Sequence, residues 1–126
     1  MIAIPAVGGI PDSTWGLQDP ITSIRSCDTT VYNALKNEAY IHFYTFPEGS
    51  SSRPLGTCAD DLLLAIKDLL SENDKLPIHF AAYSTGGIVL KFTITRATSD
   101  LANQFHSVAF FGVPRTSPRE LKNNLN

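Results

Sequence analysis

The chain has few cysteines, no long apolar run and no excess of either charge. Its two cysteines, Cys27 and Cys58, have neither metal-ligand spacing nor a disulfide framework, which favours a reduced, cytoplasmic setting. Its apolar runs fall far short of the roughly 20 residues that cross a bilayer, and residues 1–5 lack the charged start of a secretory signal. With a net charge of −2 and no basic stripe, the sequence does not indicate binding to nucleic acid or to an anionic membrane surface.

What the sequence does contain is the composition and patterning of a single domain covering residues 1–126. The chain is 43% hydrophobic, and segments with strand patterns alternate with segments of helical spacing. The runs at 78–83 and 107–111 are apolar on both faces, which is typical of parallel strands covered on both sides. We therefore predict an α/β fold, a parallel sheet of about four strands with helices on both faces. The predicted strands are 2–7, 40–46, 76–83 and 107–111, and the predicted helices are 29–37, 58–70 and 85–97; residues 117–126 are predicted to be the start of a helix or a polar tail.

The helix after the polar loop at 48–56 has the clearest amphipathic pattern. Leucine and isoleucine recur at helical spacing on one side, and charged residues fall on the other: Leu62, Leu63, Ile66, Leu69 and Leu70 against Asp60, Asp61, Lys67 and Asp68. Thr57 is the expected cap at its start.

The most informative segment is 77–87, PIHFAAYSTGG, in which an apolar strand pattern ends at Ser84 and two glycines open a second apolar segment. This is the layout of a nucleophile elbow, a sharp strand-to-helix turn that exposes a serine hydroxyl above the sheet. Small residues flank the serine in such turns because neighbouring main chain passes close by, and here they are Ala82 and Gly86. The alternative is an ordinary strand–turn–helix junction with a bystander serine.

Three fragments, in order, resemble a known family. Residues 5–15, PAVGGIPDSTW, are similar to the HGLGGHPxxTW loop of lipase-like α/β-hydrolases. Residues 77–91, PIHFAAYSTGGIVLK, are similar to PIxFxGHSLGGLVxK, and residues 110–115, FFGVPR, to FLGTPH. The group that these motifs resemble is the fungal SesB-type domains, related to the DUF676 and PGAP1-like serine esterases. The resemblance implies a partial α/β-hydrolase fold.

The resemblance also implies roles for particular residues. Ser84 would be the nucleophile, and the backbone N–H groups of Thr85 and Val7 would form the oxyanion hole. Where the family loop begins His-Gly, this chain has Pro5 and Ala6. Proline has no N–H and a fixed φ, so the loop is expected to present its donors differently.

A serine nucleophile needs a histidine base and an acid that orients the histidine, and together the three form a catalytic triad. The sequence does not supply the base and the acid. After Ser84 the acids are Asp100 and Glu120 and the histidine is His106, which precedes a predicted strand at the end opposite the elbow. The family's acid and histidine follow later strands, so we expect this chain to lack the C-terminal half of the domain. Such a half-domain would hydrolyse weakly or not at all and would leave an open sheet edge as a pairing site.

Three functions remain open from the sequence. The first is a serine hydrolase domain acting on ester or lipid substrates. The second is a non-catalytic effector or interaction domain of a fungal NOD-like receptor-type protein, and the third is a degenerate gene product. No cofactor or metal is expected, since the glycine-rich segments lack both the lysine of a P-loop and the spacing of a dinucleotide fingerprint. Two roles are open for Tyr44, Phe46 and Trp15, lining the mouth of a substrate site or packing in the core, and packing in the core is the one expected.

Overall fold

The computed structural model describes residues 1–9, 40–72 and 76–115, which form a parallel sheet with helices against it. The strands are β1 (Ile2–Ile4), β2 (His42–Phe43), β3 (Ile78–Tyr83) and β4 (Phe105–Phe111). The helices are α1 (Leu55–Glu72), α2 (Thr85–Arg96) and α3 (Ser99–Ala102), preceded by a 3₁₀ turn at Ser50–Ser52. The predicted elements at 29–37 and 117–126, together with Trp15, Cys27 and Glu120, lie outside the described residues.

The four strands run in the order β2-β1-β3-β4, and every neighbouring pair is parallel. The α/β class and the parallel sheet of four strands are therefore confirmed. The order is that of a doubly wound sheet, in which the chain leaves β1 in one direction and returns past it to build the other side. The connections from β2 to β3 and from β3 to β4 both move the same way across the sheet, so right-handed crossovers place α1 and α2 on the same face.

One hydrophobic core joins this face of the sheet to α1 and α2. The strands contribute Ile2, Ile4, Ile78, Phe80 and Ala82, and the helices contribute Cys58, Ala59, Leu62, Ile66, Ile88, Val89, Leu90 and Phe92. On the opposite face Ala3 and Ala81 are buried, with Met1 and Phe43 packed against them. Helices on that second face stay a prediction, because the helix expected before β2 lies outside the described residues.

Polar contacts also hold α1 to α2. The buried Thr93 hydroxyl donates to the carbonyl of Val89 in its own helix at 2.9 Å and lies 3.2 Å from the carbonyl of Ala59 in α1. Arg96 donates to the Gly56 carbonyl and to the Asp60 carboxylate, each at 2.6 Å. These contacts explain why α2 continues through the segment 93–95, whose β-branched residues have poor intrinsic helix propensity.

Two predicted boundaries are wrong. Helix α1 begins at Leu55, so Thr57 lies in its first turn, where its N–H donates to the Pro54 carbonyl at 3.0 Å. The strand predicted at 40–46 is reduced to His42–Phe43, because its parallel partner β1 has only three residues. Beyond it Tyr44 and Phe46 turn into the core with ring centroids 5.0 Å apart, which confirms their predicted packing role.

The expectation that 107–111 is buried on both faces is also wrong. Strand β4 begins earlier, at Phe105, and forms the edge of the sheet, so most of its side chains are exposed. Phe110 and Phe111 are each 44% exposed. The run is apolar, but among the described strands β4 has β3 as its one neighbour, and its side chains are less covered than those of β3.

Candidate active site at the carboxyl end of the sheet

Ser84 lies at the end of β3, next to the end of β1. The chain continues from these two neighbouring strands toward opposite edges of the sheet, to β2 from β1 and to β4 from β3. Strands β1 and β3 are adjacent and parallel, with Ile4 beside Ala82, so the loop after β1 and the turn after β3 meet at the same edge. In doubly wound sheets this switch point, at the carboxyl ends of the strands, is where ligands bind. The topology thus indicates the same position as the sequence motif does.

The backbone of Ser84 is strained. With φ 51° and ψ −130°, Ser84 is the sole non-glycine residue of the described segments that has a positive φ. Such a conformation costs about 1–3 kcal/mol and persists only where the surroundings impose it. Here the Ser84 N–H donates to the Phe111 carbonyl of β4 at 3.0 Å, and the Ser84 carbonyl accepts from the Gly87 N–H at 3.0 Å. The predicted strand–turn–helix arrangement around Ser84 is confirmed.

The serine does not serve the helix that follows it. A serine that caps a helix has an extended backbone and accepts a hydrogen bond from an N–H in the first turn. Ser84 has neither feature, since its backbone is in another region and its side chain makes no capping hydrogen bond. The strain is therefore not explained by capping, and the residue is half-buried.

The glycines after Ser84 allow α2 to start against the strands. A Cβ on Gly86 would lie 1.9 Å from the Pro5 carbonyl oxygen, which is backbone and cannot move aside. A Cβ on Gly87 would lie 2.3 Å from a methyl group of Val113 and 3.1 Å from the Phe110 ring. Close passage of main chain is the reason predicted for the small residues at this turn, and at Gly86 the structure shows it directly.

The two residues expected to form an oxyanion hole, Val7 and Thr85, lie in contact, and a hydrogen bond that the sequence did not predict joins them. The Val7 N–H donates to the Thr85 side-chain oxygen at 2.9 Å. The Thr85 N–H belongs to the first turn of α2 and therefore has no acceptor within the helix. The loop around Val7 is closed by a turn in which the Gly9 N–H donates to the Ala6 carbonyl at 2.8 Å. Pro5 therefore does not prevent this loop from approaching the elbow.

None of the chain's three histidines is close enough to deprotonate Ser84. His79 lies in β3 five residues before Ser84, which at the rise of a strand is about 16 Å. His42 is in register with Ile2, which pairs with Phe80, so it lies about 13 Å below Ser84 along the strands. His106 lies beside Ile78 and His79 at the start of β4. Asp100, an exposed residue of α3, comes before that strand.

The histidine end of the sheet has a cavity of its own. This cavity, of about 340 Å³, is lined by Met1, Ile2, Tyr40, His42, Ile66, Leu69, Leu70, Leu76, Pro77, Ile78 and His79. Burial, and then the nearby amino group of Met1, lowers the pKa of His42. Because the cavity lies at the amino ends of the strands, it is not a binding pocket for a group attached to Ser84.

Other chemistry is limited in the described segments. They contain no group of three or more histidine, cysteine, aspartate or glutamate side chains placed to hold a metal ion. Cys58 is a free, fully buried thiol, and burial raises its pKa, which disfavours the reactive thiolate. No helix within 1–9, 40–72 or 76–115 is long and apolar enough to cross a membrane.

No protein-family model, curated protein or solved structure matches this chain. The assignment of function therefore depends on the geometry around Ser84 and on the motifs that surround it.

Proposed function

We propose that this chain is a serine hydrolase-type domain in which Ser84 is the nucleophile toward an ester or lipid carbonyl. The observation that carries the proposal is the strained backbone of Ser84, at the switch point of the sheet and without a capping role. Strain at a residue that the helix does not need is characteristic of functional sites.

The chemistry requires that the Ser84 oxygen bond to the carbonyl carbon while the hydroxyl proton passes to a base. The ester C–O bond then breaks, the alcohol leaves with a proton, and water hydrolyses the acyl-serine. The negative charge that develops on the carbonyl oxygen would accept hydrogen bonds from the Val7 and Thr85 N–H groups. Each such donor contributes a factor of about 10²–10³ to the rate. A histidine base would have to come from outside these 126 residues, since none of the three present is within reach. We therefore expect the chain alone to react slowly, with solvent hydroxide as the base.

Ser107 provides a matched comparison within the same molecule. Its hydroxyl lies 2.6 Å from Nδ1 of His79, so Ser107 has an imidazole ring beside it, whereas Ser84 has none. However, Ser107 lies inside strand β4 and not at a helix N-terminus, so it lacks a comparable pair of donors. A general base contributes about 10²–10⁴, and each of two oxyanion donors contributes about 10²–10³. Ser84 should therefore be the more reactive serine.

The test is labelling with a fluorophosphonate at several pH values, with the modified residue identified by peptide mass spectrometry. We expect Ser84 to be labelled over hours, faster at pH 9.5 than at pH 7.5, while the exposed Ser71 and Ser107 stay at background. Ser84→Ala should abolish the signal. Labelling of Ser107 in preference to Ser84, or equal labelling of all three serines, would show that the elbow confers no reactivity.

The same assay examines the contact between Val7 and Thr85. An oxyanion can use the Val7 N–H only after the Thr85 hydroxyl has released it, at a cost of about 1 kcal/mol for one hydrogen bond. Thr85→Val keeps the side-chain shape and removes the acceptor, so labelling of Ser84 should become about fivefold faster. Thr85→Ser, which keeps the acceptor, is the control. Slower labelling of Thr85→Val would mean that the hydroxyl supports the site.

The second candidate function is a non-catalytic interaction domain of the NOD-like receptor type. Two observations favour it: the distance of every histidine from Ser84, and the exposed aromatic edge strand β4. If Ser84 is not labelled even at pH 9.5, this reading becomes the better one.

A further inference from the structure

Two histidines and a serine form a cluster on the surface of the sheet, away from Ser84. His79 of β3 and His106 of β4 are both exposed, and their ring centroids are 5.8 Å apart with the planes tilted by 49°. Nδ1 of His79 lies 2.6 Å from the hydroxyl oxygen of Ser107, which is also exposed. The function proposed above uses none of these three side chains.

An irregularity of the sheet brings the two rings together. Ile78 is paired with Phe105 and His79 with Ser107, so His106 is an extra residue in β4 with no partner position of its own in β3. Bulges of this kind redirect a side chain and are common beside functional sites. Without the extra residue, strict alternation along β4 would place neighbouring side chains on opposite faces.

The separation of the rings is close to what one metal ion needs. A zinc–nitrogen bond of about 2.0–2.1 Å, added to the radius of each ring, puts two imidazole centroids roughly 5 Å apart at a tetrahedral angle. The observed 5.8 Å is slightly longer than this, and both histidines are exposed.

Ser107 is placed to orient the ring of His79 through a hydrogen bond. A histidine that binds a metal usually donates its other ring N–H to an oxygen, which sets the tautomer and orients the ring. If Nδ1–H of His79 donates to the Ser107 oxygen, the unprotonated Nε2 is the atom left for a metal.

We propose that His79 and His106 chelate one divalent ion of the zinc class, with water completing the coordination and Ser107 orienting His79. Imidazole nitrogens suit zinc, copper and nickel rather than magnesium or calcium, which prefer oxygen. With two protein ligands, the site binds metal reversibly and leaves positions open to an additional ligand.

The test is calorimetric titration of the whole chain with zinc chloride. We expect one zinc per chain and a binding constant reduced at least about tenfold by His79→Gln or by His106→Gln, since even outer-shell changes cost about 10–100-fold. Ser107→Ala should weaken binding by about tenfold. His42→Gln is the matched control, because His42 lies on β2 and is not part of the cluster. The control should bind zinc as the unmodified protein does.

Imidazole ¹H–¹⁵N spectra of the unmodified chain give a second measurement that does not depend on variants. Zinc should shift the ring nitrogens of His79 and His106 together and leave those of His42 in place. Equal loss of affinity in His42→Gln, a response from only one of the two rings, or half a zinc per chain accompanied by dimers would each overturn the proposal. An absence of zinc binding by the unmodified protein would do the same.

Discussion

The two ends of the sheet each hold some of the groups that serine hydrolysis requires, and neither end holds all of them. The carboxyl end has a strained serine and backbone N–H donors but no histidine, whereas the amino end has all three histidines of the chain. A serine in contact with histidine does occur at the amino end, as Ser107 with His79, but it lies inside a strand. Residue types alone therefore do not make a catalytic pair, because position along the strands decides which groups meet.

Strand geometry accounts for the separation. His79 and Ser84 are five residues apart in sequence, yet an extended chain places them about 16 Å apart. In a parallel sheet every strand points the same way, so residues that begin strands gather at one end and residues that follow strands gather at the other. A base for Ser84 has to follow a strand, and no histidine of this chain does so.

The largest expected effect is at the carboxyl end, where main chain packs against main chain. Gly86→Ala should lower the free energy of unfolding by about 3 kcal/mol or more, because the added methyl group would overlap the Pro5 carbonyl. Urea denaturation would measure this. The result would show that the approach of the β1 loop to the elbow is built into the stability of the fold.

Alanine substitutions at two other glycines provide the comparison for Gly86→Ala. Gly87→Ala should cost less, since the Val113 and Phe110 side chains that it would meet can shift. Gly49→Ala has open space around it and should cost only about 1–2 kcal/mol, from its positive φ of 80°. If Gly86→Ala is no worse than Gly49→Ala, the close approach at the elbow is not as described.

A smaller effect of opposite sign is expected at Ser84 itself. Ser84→Gly should raise the free energy of unfolding by about 1 kcal/mol. Glycine removes a backbone strain of about 1–3 kcal/mol, but it also increases the conformational entropy of the unfolded chain, which offsets part of that gain. Ser84→Ala keeps the strain and should leave stability within about 0.5 kcal/mol of the original. A glycine variant no more stable than the alanine variant would argue against strain at this site.

The smallest effect concerns the amino end. Burial lowers the pKa of His42, so the unfolded chain binds a proton there more readily than the folded chain does. Stability should consequently fall as the pH drops through the ordinary histidine range, by a small amount because His42 is partly exposed to solvent. Comparing urea midpoints at pH 7.5 and pH 5.5 would reveal it.

His42→Gln should lose less stability over that pH interval than the unmodified protein does. The other two histidines are present in both proteins, so the difference between them reports on His42. An equal loss in the two proteins would mean that His42 is as accessible to protons in the folded chain as in the unfolded one.

Much of the candidate site could be predicted from sequence because its signals are local. The apolar run before Ser84, the glycines after it and the helical spacing of α1 all express short-range sterics and periodicity, and the structure has the expected strand, turn and helix there. The boundaries at Thr57 and in the strand predicted at 40–46 were less predictable, because a strand ends where its neighbour ends and not where its own pattern stops.

Burial and contact over long range were not predictable in this way. The apolar run of β4 gave no sign that the strand would lie at an edge, and Thr85 gave no sign that its side chain would meet Val7, 78 residues earlier in the chain. The approach of the His79 and His106 rings depends on His106 being an extra residue in β4, which no local pattern indicates.

The sequence by itself determined the α/β alternation, the helix faces and the place of the sharp turn at Ser84, because backbone sterics and hydrophobic periodicity act within a few residues. Only the tertiary structure decided that Ser84 is strained without capping a helix and that the Thr85 oxygen holds the Val7 N–H. It alone also decided that the histidines gather at the far end of the sheet. Those outcomes depend on strand order and register, which arise from packing between segments far apart in the chain.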